Sequence, residues 1–151
     1  MEIISIKRED RYFKEIVNYL YNWWGYKKFN SYDEFYKTYL NYITNDNLPN
    51  LYALIINDTL IGAYEINEKD YVEEKEYTPY LANIFIKENY RGQKYSSILI
   101  EDCVVKTKKL GYNKLYLHTK IENYYEKYGF KFKEEAETKY GIKRIYEKDL
   151  S

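Results

Sequence analysis

Between Tyr80 and Leu110 the chain has little freedom in what it can form. Tyr80–Ile86 is an apolar run of strand length, Lys87–Gly92 is polar and carries a glycine, and a helical pattern follows at once, roughly from Lys94 to Leu110, closed by Gly111. A strand that passes through a tight turn straight into a long helix calls for a layered arrangement of both element types. The first-turn amides of such a helix have no intrahelical acceptor, and the helix dipole adds partial positive charge at the same place. That end is a ready site for a pyrophosphate, to which Arg91 and Lys94 add two cationic groups and Ser96 and Ser97 two hydroxyls. Taken alone, the stretch reads equally well as a strand-to-helix corner that binds nothing, with Arg91 and Lys94 merely solvated.

The rest of the chain supplies a sheet. Glu2–Ile6 alternates like a short strand. Asp10 offers a helix N-cap, and Phe13, Ile16, Val17 and Leu20 recur at helical spacing until Gly25. Ser31, with Glu34 three residues on, opens a second helix carrying Phe35, Tyr39, Leu40 and Ile43 on one face. Asn45–Asn50 is a loop; Leu51–Ile56 and Thr59–Ile66 form a hairpin about the Asn57-Asp58 turn. Glu68–Glu76 is an acidic, exposed connection. After the long helix come a strand at Leu115–Thr119, a short helix at Glu122–Tyr128 closed by Gly129, and a strand pair at Phe130–Glu135 and Arg144–Lys148. The expected order, β-α-α-β-β-β-α-β-α-β-β, is one mixed α/β domain of about seven strands and four helices, with no internal repeat.

Bulk properties narrow the function. The 151 residues fit a single domain over 1–151. Lys and Arg number 24 against 24 Asp and Glu, without the positive surplus of a dedicated nucleic-acid binder. One cysteine, Cys103, allows no internal disulfide and fits a reduced, cytoplasmic setting; its place beside Leu99, Ile100 and Val104 reads as packing. No run approaches the roughly 20 apolar residues of a membrane span, Met1–Lys7 lacks a signal-peptide pattern, and no metal site is expected. The 22 tyrosines read either as an aromatic stacking surface or as codon bias, since Tyr, Lys, Asn and Ile are all abundant.

Arg91-Gly92-Gln93-Lys94-Tyr95-Ser96 resembles the acetyl-CoA pyrophosphate loop of the GNAT superfamily of N-acetyltransferases, which reads Arg or Gln, two variable residues, Gly, one variable residue, then Gly or Ala. Ile86, Tyr90 and Leu99-Ile100 agree with its flanks. Downstream, Tyr124-Tyr125-Glu126-Lys127-Tyr128-Gly129-Phe130 is similar to the superfamily's Phe/Tyr-Tyr-Glu-Lys-x-Gly-Phe segment, at the usual separation. Pro79-Tyr80-Leu81-Ala82 and Trp23-Trp24-Gly25 resemble a bacterial branch. The chain departs from the pattern at Lys94 for the central Gly, Ser96 for the last Gly or Ala, and Glu88 for a common Pro. Any non-proline residue still donates an amide, so the cradle survives these changes, and Lys94 is expected to point outward or over the phosphates.

The resemblance implies an acyl-CoA N-acyltransferase fold and transfer of acetyl from acetyl-CoA to a primary amine of a small molecule or peptide, by direct attack in a ternary complex. It implies that the strands at Tyr80–Ile86 and Leu115–Thr119 splay apart, that backbone of Ile84, Phe85 and Ile86 holds the pantetheine arm, and that Arg91, Gly92, Gln93, Lys94, Tyr95, Ser96 and Ser97 surround the pyrophosphate. Tyr125 matches the tyrosine that donates a proton to the leaving thiolate. For the base, Asn83 is the one polar residue inside the strand where many members carry a Glu or a water, and His118 lies at the end of the next strand and titrates in a suitable range. Glu122 is a weaker candidate. Asn123 is placed on the cofactor arm, and Trp23, Trp24, Tyr26, Phe29 and Tyr140 on the acceptor walls, although the two tryptophans also read as caps on the core. Partners are then an amine acceptor and a second subunit paired through the edge of the last hairpin, with no nucleic acid and no membrane. A non-catalytic CoA-binding or regulatory module of the same fold is the alternative, followed by an interaction domain that uses the tyrosines.

Overall fold

The computed structural model describes residues 1–43, 48–69, 76–138 and 141–151. Seven strands form one sheet: β1 (Glu2–Ser5), β2 (Asn50–Ile56), β3 (Thr59–Asn67), β4 (Tyr80–Ile86), β5 (Lys114–Thr119), β6 (Lys131–Thr138) and β7 (Gly141–Asp149). They lie in the order β1-β2-β3-β4-β5-β7-β6, antiparallel throughout except at β4 and β5. The helices are α1 (Arg11–Leu20), α2 (Tyr26–Lys28), α3 (Tyr32–Tyr42) and α4 (Tyr95–Lys109). The expected single mixed α/β domain, with its order of strands and main helices, is what forms. No helix among the described residues is long and apolar enough to cross a membrane.

Each face of the sheet is covered by the helix stripe that the periodicity predicts. On one side Leu99, Ile100 and Cys103 of α4 pack against Leu54, Tyr64, Ile66, Leu81, Leu117 and Tyr146. On the other, Phe13, Ile16, Val17 and Leu20 of α1 and Phe35 and Tyr39 of α3 cover Ala53, Ile55, Ala63 and Phe85. Complete burial of side chains such as Leu99 and Ile16 stabilises the fold by about 1.5–3 kcal/mol each. Cys103 is part of this packing, and burial pushes its thiol up to about 12, which keeps it protonated and unreactive. The Tyr64 hydroxyl donates to Asp102 Oδ2 at 2.6 Å, and Lys106 Nζ donates to the same oxygen at 2.5 Å, which ties α4 to the middle of the sheet.

Several local expectations are met. Asn57 and Asp58 both have positive φ (49° and 61°), the two-residue hairpin turn whose twist matches the strands. Ser31 Oγ accepts from the Glu34 amide at 3.1 Å and caps α3. Others need correction. The Asp10 carboxylate accepts from the Lys7 amide behind it at 2.7 Å, so it closes the preceding turn and does not cap α1. The first helix does not run on to Gly25; after Leu20 it widens into a π-helical turn, Tyr21–Gly25. The last two strands are longer than the apolar pattern indicates, because both carry polar residues on an exposed face. The helix at Glu122–Tyr128 is only a 3₁₀ turn, Tyr125–Tyr128. Parts of the Asn45–Asn50 loop and the Glu68–Glu76 connection, and Tyr140, lie outside the described residues.

The pairing of β4 with β3 is irregular at one point and unusually close at another. Ala63 pairs with Phe85 and Glu65 with Ala82, so Tyr64 stands opposite two residues, Asn83 and Ile84. That is a β-bulge, and Asn83 takes φ 49° to make it. Just beyond, Gly62 pairs with Ile86 so closely that an added Cβ would lie 2.4 Å from the Phe85 carbonyl oxygen. Gly62→Ala must push β3 and β4 apart. It is expected to destabilise the fold by about 1–3 kcal/mol and lower the melting temperature by roughly 3–10 °C in a thermal scan.

Candidate active site

β4 and β5 touch at one end only. Tyr80 is in register with Tyr116, and the Tyr116 amide donates to the Pro79 carbonyl at 2.9 Å. Beyond that no register pair joins the two strands among the described residues, and the bulge at Asn83 turns β4 further away. β4 is still held on its other edge by β3, and β5 by β7. The result is a cleft through the sheet with a cavity on either side, of about 650 Å³ and about 640 Å³. Trp23, Ile84, Ile121 and Tyr125 line both and mark where they meet.

The first cavity runs from Ile84, Phe85 and Ile86 of β4 to Arg91, Gly92, Lys94, Tyr95 and Ser96 at the start of α4. A 3₁₀ turn at Glu88–Tyr90 joins the two. Gly92 (φ 81°) and Lys94 (φ 66°) are both left-handed, so the motif's central glycine position demands a backbone angle, and Lys94 adopts it at a cost of about 1 kcal/mol. Lys94 therefore stands before the helix as its N-cap, not inside it, with an exposed side chain. No side chain caps α4 and its first turn holds no acid. These amides, with Arg91 and Lys94 alongside, fit a pyrophosphate. Arg91 also braces the loop: its Nε donates to the Ile86 carbonyl at 2.9 Å and its Nη2 to Tyr19 at 3.0 Å.

The second cavity is walled by Trp23, Trp24, Lys27 and Lys28 on one side and by Leu117, His118, Thr119 and Lys120 of β5 and its end on the other. Asn83, Ile84 and Lys143 complete it. The π-helical turn at Tyr21–Gly25 brings both tryptophans here, since its extra residue rotates the chain after Leu20. His118 is half-buried, and its ring lies 6.3 Å from that of Tyr80. Asn83 Nδ2 donates to Oε2 of Glu65 at 3.0 Å; this acidic residue is 1% exposed.

Tyr125 sits at the junction. Its ring packs edge-on against Tyr124 (4.9 Å) and Phe130 (6.1 Å), and burial, with Tyr124 and Tyr128 adding to it, pushes its phenol up to about 12. The two neighbours are moored. Ser96 Oγ bonds the Tyr124 hydroxyl at 3.1 Å and Ser97 Oγ bonds Tyr128 at 2.7 Å. Tyr125 has no protein partner for its hydroxyl among the described residues.

The cleft thus gathers Tyr125, His118, Asn83, Ile84, Phe85, Ile86, Arg91, Gly92, Lys94, Tyr95, Ser96, Trp23 and Trp24. It leaves others out. The Ser96 and Ser97 hydroxyls are engaged by tyrosines, and Ser97 and Gln93 line neither cavity. Asn123 is exposed at φ 60°, a turn residue outside both cavities. Phe29 packs on Phe35 at 5.1 Å and Tyr26 is 52% exposed; neither lines a cavity. Glu122 pairs with Arg144 at 3.3 Å. Trp24 packs its ring edge-on to Phe35 at 5.3 Å and also lines the second cavity. Two residues escape a reading of the sequence: Tyr19, stacked on Phe85 at 3.9 Å, and Glu65, whose one signal is a lone charge inside the apolar β3 run.

No curated protein sequence matches this one significantly. Among solved structures, a GNAT family acetyltransferase from Elizabethkingia anophelis with acetyl-CoA bound superposes with a TM-score of 0.70 at 18% identity, over 99% of this chain and 97% of that one. An aminoglycoside 6'-acetyltransferase type Ii gives 0.75 at 16% identity, over 100% and 98%. A spermidine N-acetyltransferase from Vibrio cholerae gives 0.71 at 20% identity, over 100% and 96%. At these identities the likeness establishes the fold. The sequence model of the Acetyltransferase (GNAT) family matches residues 14–130, which takes in both the cleft and the loop before α4, and the chain belongs to that family.

Proposed function

We propose that the protein transfers an acetyl group from acetyl-CoA to a primary amine, with the cofactor in the first cavity and the acceptor in the second. The observation that carries this reading is the position of Tyr125, the one titratable side chain among the described residues that lines both cavities. Acetyl-CoA, when bound, supplies an acetyl thioester whose carbon–sulfur bond breaks as the acceptor nitrogen forms its amide. The amides of Lys94 to Ser96 and the Arg91 guanidinium hold the pyrophosphate, and backbone of β4 left unpaired by β5 holds the arm. The amine must lose a proton before it attacks, and His118, in the acceptor wall, takes it. Asn83, held by Glu65, orients the acceptor or a water. Tyr125 protonates the departing thiolate. Its raised phenol stays protonated across the neutral range, and a thiolate leaving in a site with little water is basic enough to accept that proton.

A non-catalytic CoA-binding role is the second reading, and one assay separates the two. Thiol release from acetyl-CoA should be measured across a panel of primary amines with wild type, Tyr125→Phe and His118→Asn. Tyr125→Phe is expected to lower kcat by about 10²–10⁴-fold with acetyl-CoA affinity unchanged, the range for loss of a positioned acid. His118→Asn is expected to lower kcat by about 10²–10⁴-fold, the range for loss of a positioned base. Unaltered turnover in Tyr125→Phe would exclude it from the chemistry, and silence across the panel with acetyl-CoA still bound would establish the binding module.

Tyr125 also affects alkaline stability. Its folded value of about 12 lies above the ordinary 10.0, so the unfolded chain releases a proton that the fold retains. Stability from this group is therefore complete below pH 10 and is lost as pH rises toward 12. Tyr125→Phe is expected to flatten the fall of melting temperature over that window.

A further inference from the structure

The second cavity has a chemistry of its own that the reaction does not require. Four lysines, Lys27, Lys28, Lys120 and Lys143, line it together with His118, and no carboxylate does so among the described residues. They come from three separate places, the end of α2, the end of β5 and the start of β7, in a chain whose charge is balanced overall. Glu65, a buried acid, lies behind Asn83 and outside the lining, and Glu122 is held by Arg144. Lys28 and Lys143 make contacts within the chain, and Lys27 Nζ lies 5.8 Å over the Tyr26 ring, a contact that leaves its charge available; the weight therefore falls on Lys27 and Lys120, both exposed at the cavity rim.

Resting on the acetyl-transfer reading for where the amine sits, we propose that the acceptor is a small primary amine that carries its own negative charge, as carboxylate or phosphate, paired by Lys27 and Lys120. Charge complementarity has two effects here. A polycationic amine would meet like charge on several sides of the cavity, which disfavours it. The same lysines disfavour the protonated form of the reacting amine and so favour the neutral nucleophile, while the acceptor's own anion keeps the whole ligand attracted. Trp23, Trp24, Leu117 and Ile121 leave an apolar floor for its carbon skeleton. Spermidine and aminoglycosides, the compounds named for two of the similar structures, carry the opposite charge.

The test is acceptor affinity measured by isothermal titration into protein saturated with coenzyme A, where no chemistry is needed. The probes are glutamate, glucosamine 6-phosphate, the diamide of glutamate, which lacks both carboxylates, and spermidine. The anionic amines are expected to bind at least about tenfold more tightly than the diamide, with carboxylate and phosphate told apart by which of the first two leads. Lys27→Gln and Lys120→Gln should each weaken that binding about tenfold without weakening the diamide's, while Lys108→Gln on the exposed side of α4 changes nothing. Spermidine binding most tightly, or lysine variants without effect on the anions, would overturn the proposal. Thiol release in matched samples charged with acetyl-CoA reads the catalytic proposal independently. Anion-selective binding without release leaves the subsite and sinks the transfer; release that favours spermidine does the reverse.

Discussion

A single parallel pairing, Tyr80 with Tyr116, joins the two halves of the sheet, and every functional feature lies where that pairing stops. The parting of β4 and β5 is built into the chain. An extra residue opposite Tyr64 forces the bulge at Asn83 and Ile84, and a bulge raises local twist and re-aims the strand. Asparagine is among the few residues that tolerate a left-handed backbone, and the buried Glu65 carboxylate fixes its side chain. Backbone groups that a neighbouring strand would have used face the cleft instead. Buried amides and carbonyls seldom go without partners, so a cleft of this kind is made for a ligand that supplies them.

The loop before α4 is positioned by what it is tied to on both sides. Arg91 clamps it to the end of β4 and to Tyr19, and Lys87 at that strand end pairs with Glu15 of α1. From across the cleft Tyr124 and Tyr128 reach the two serines of the first helical turn. Much of the tyrosine excess is absorbed in this way, as rings packed in or against the core with hydroxyls that find a partner: Tyr64 on Asp102, Tyr77 on Glu134, Tyr19 with Arg91. Tyr125 differs from these in having its ring packed at the junction of the cavities, with no protein partner for its hydroxyl among the described residues. Two moored tyrosines flank it on the same short turn, so its position is fixed without a hydrogen bond of its own.

The fold is legible in the sequence because its signals are local and redundant. Helix stripes on α1, α3 and α4, the Asn57-Asp58 turn and the strand–loop–helix at Tyr80–Leu110 each constrain their own segment, and they agree. The cofactor side is legible for the same reason, since its groups are contiguous in sequence. The second cavity is legible only in part. A π-helical turn leaves no periodic trace, so the family resemblance that points to Trp23, Trp24, Tyr26 and Phe29 together does not tell the two tryptophans that line the cavity from Tyr26 and Phe29, which do not. Lys27, Lys120 and Lys143 are far apart in sequence, and each reads alone as a solvated surface charge. Asn123 lines neither cavity, and a turn residue beside the motif looks the same in sequence as one that faces the cleft.

Balanced overall charge says little about what such a site prefers, because the Debye length of about 8 Å under physiological conditions makes each cavity respond to its own lining. Here both sides of the cleft are basic: Arg91 and Lys94 at the loop, four lysines around the second cavity. An anionic cofactor in the first cavity would offset part of the field that the second imposes on an incoming amine. Binding order would then have an electrostatic component, since an empty cleft repels a protonated amine more strongly than a loaded one. Among the described residues no acid lines either cavity; those of α3 and of the polar face of β6 lie outside the cleft.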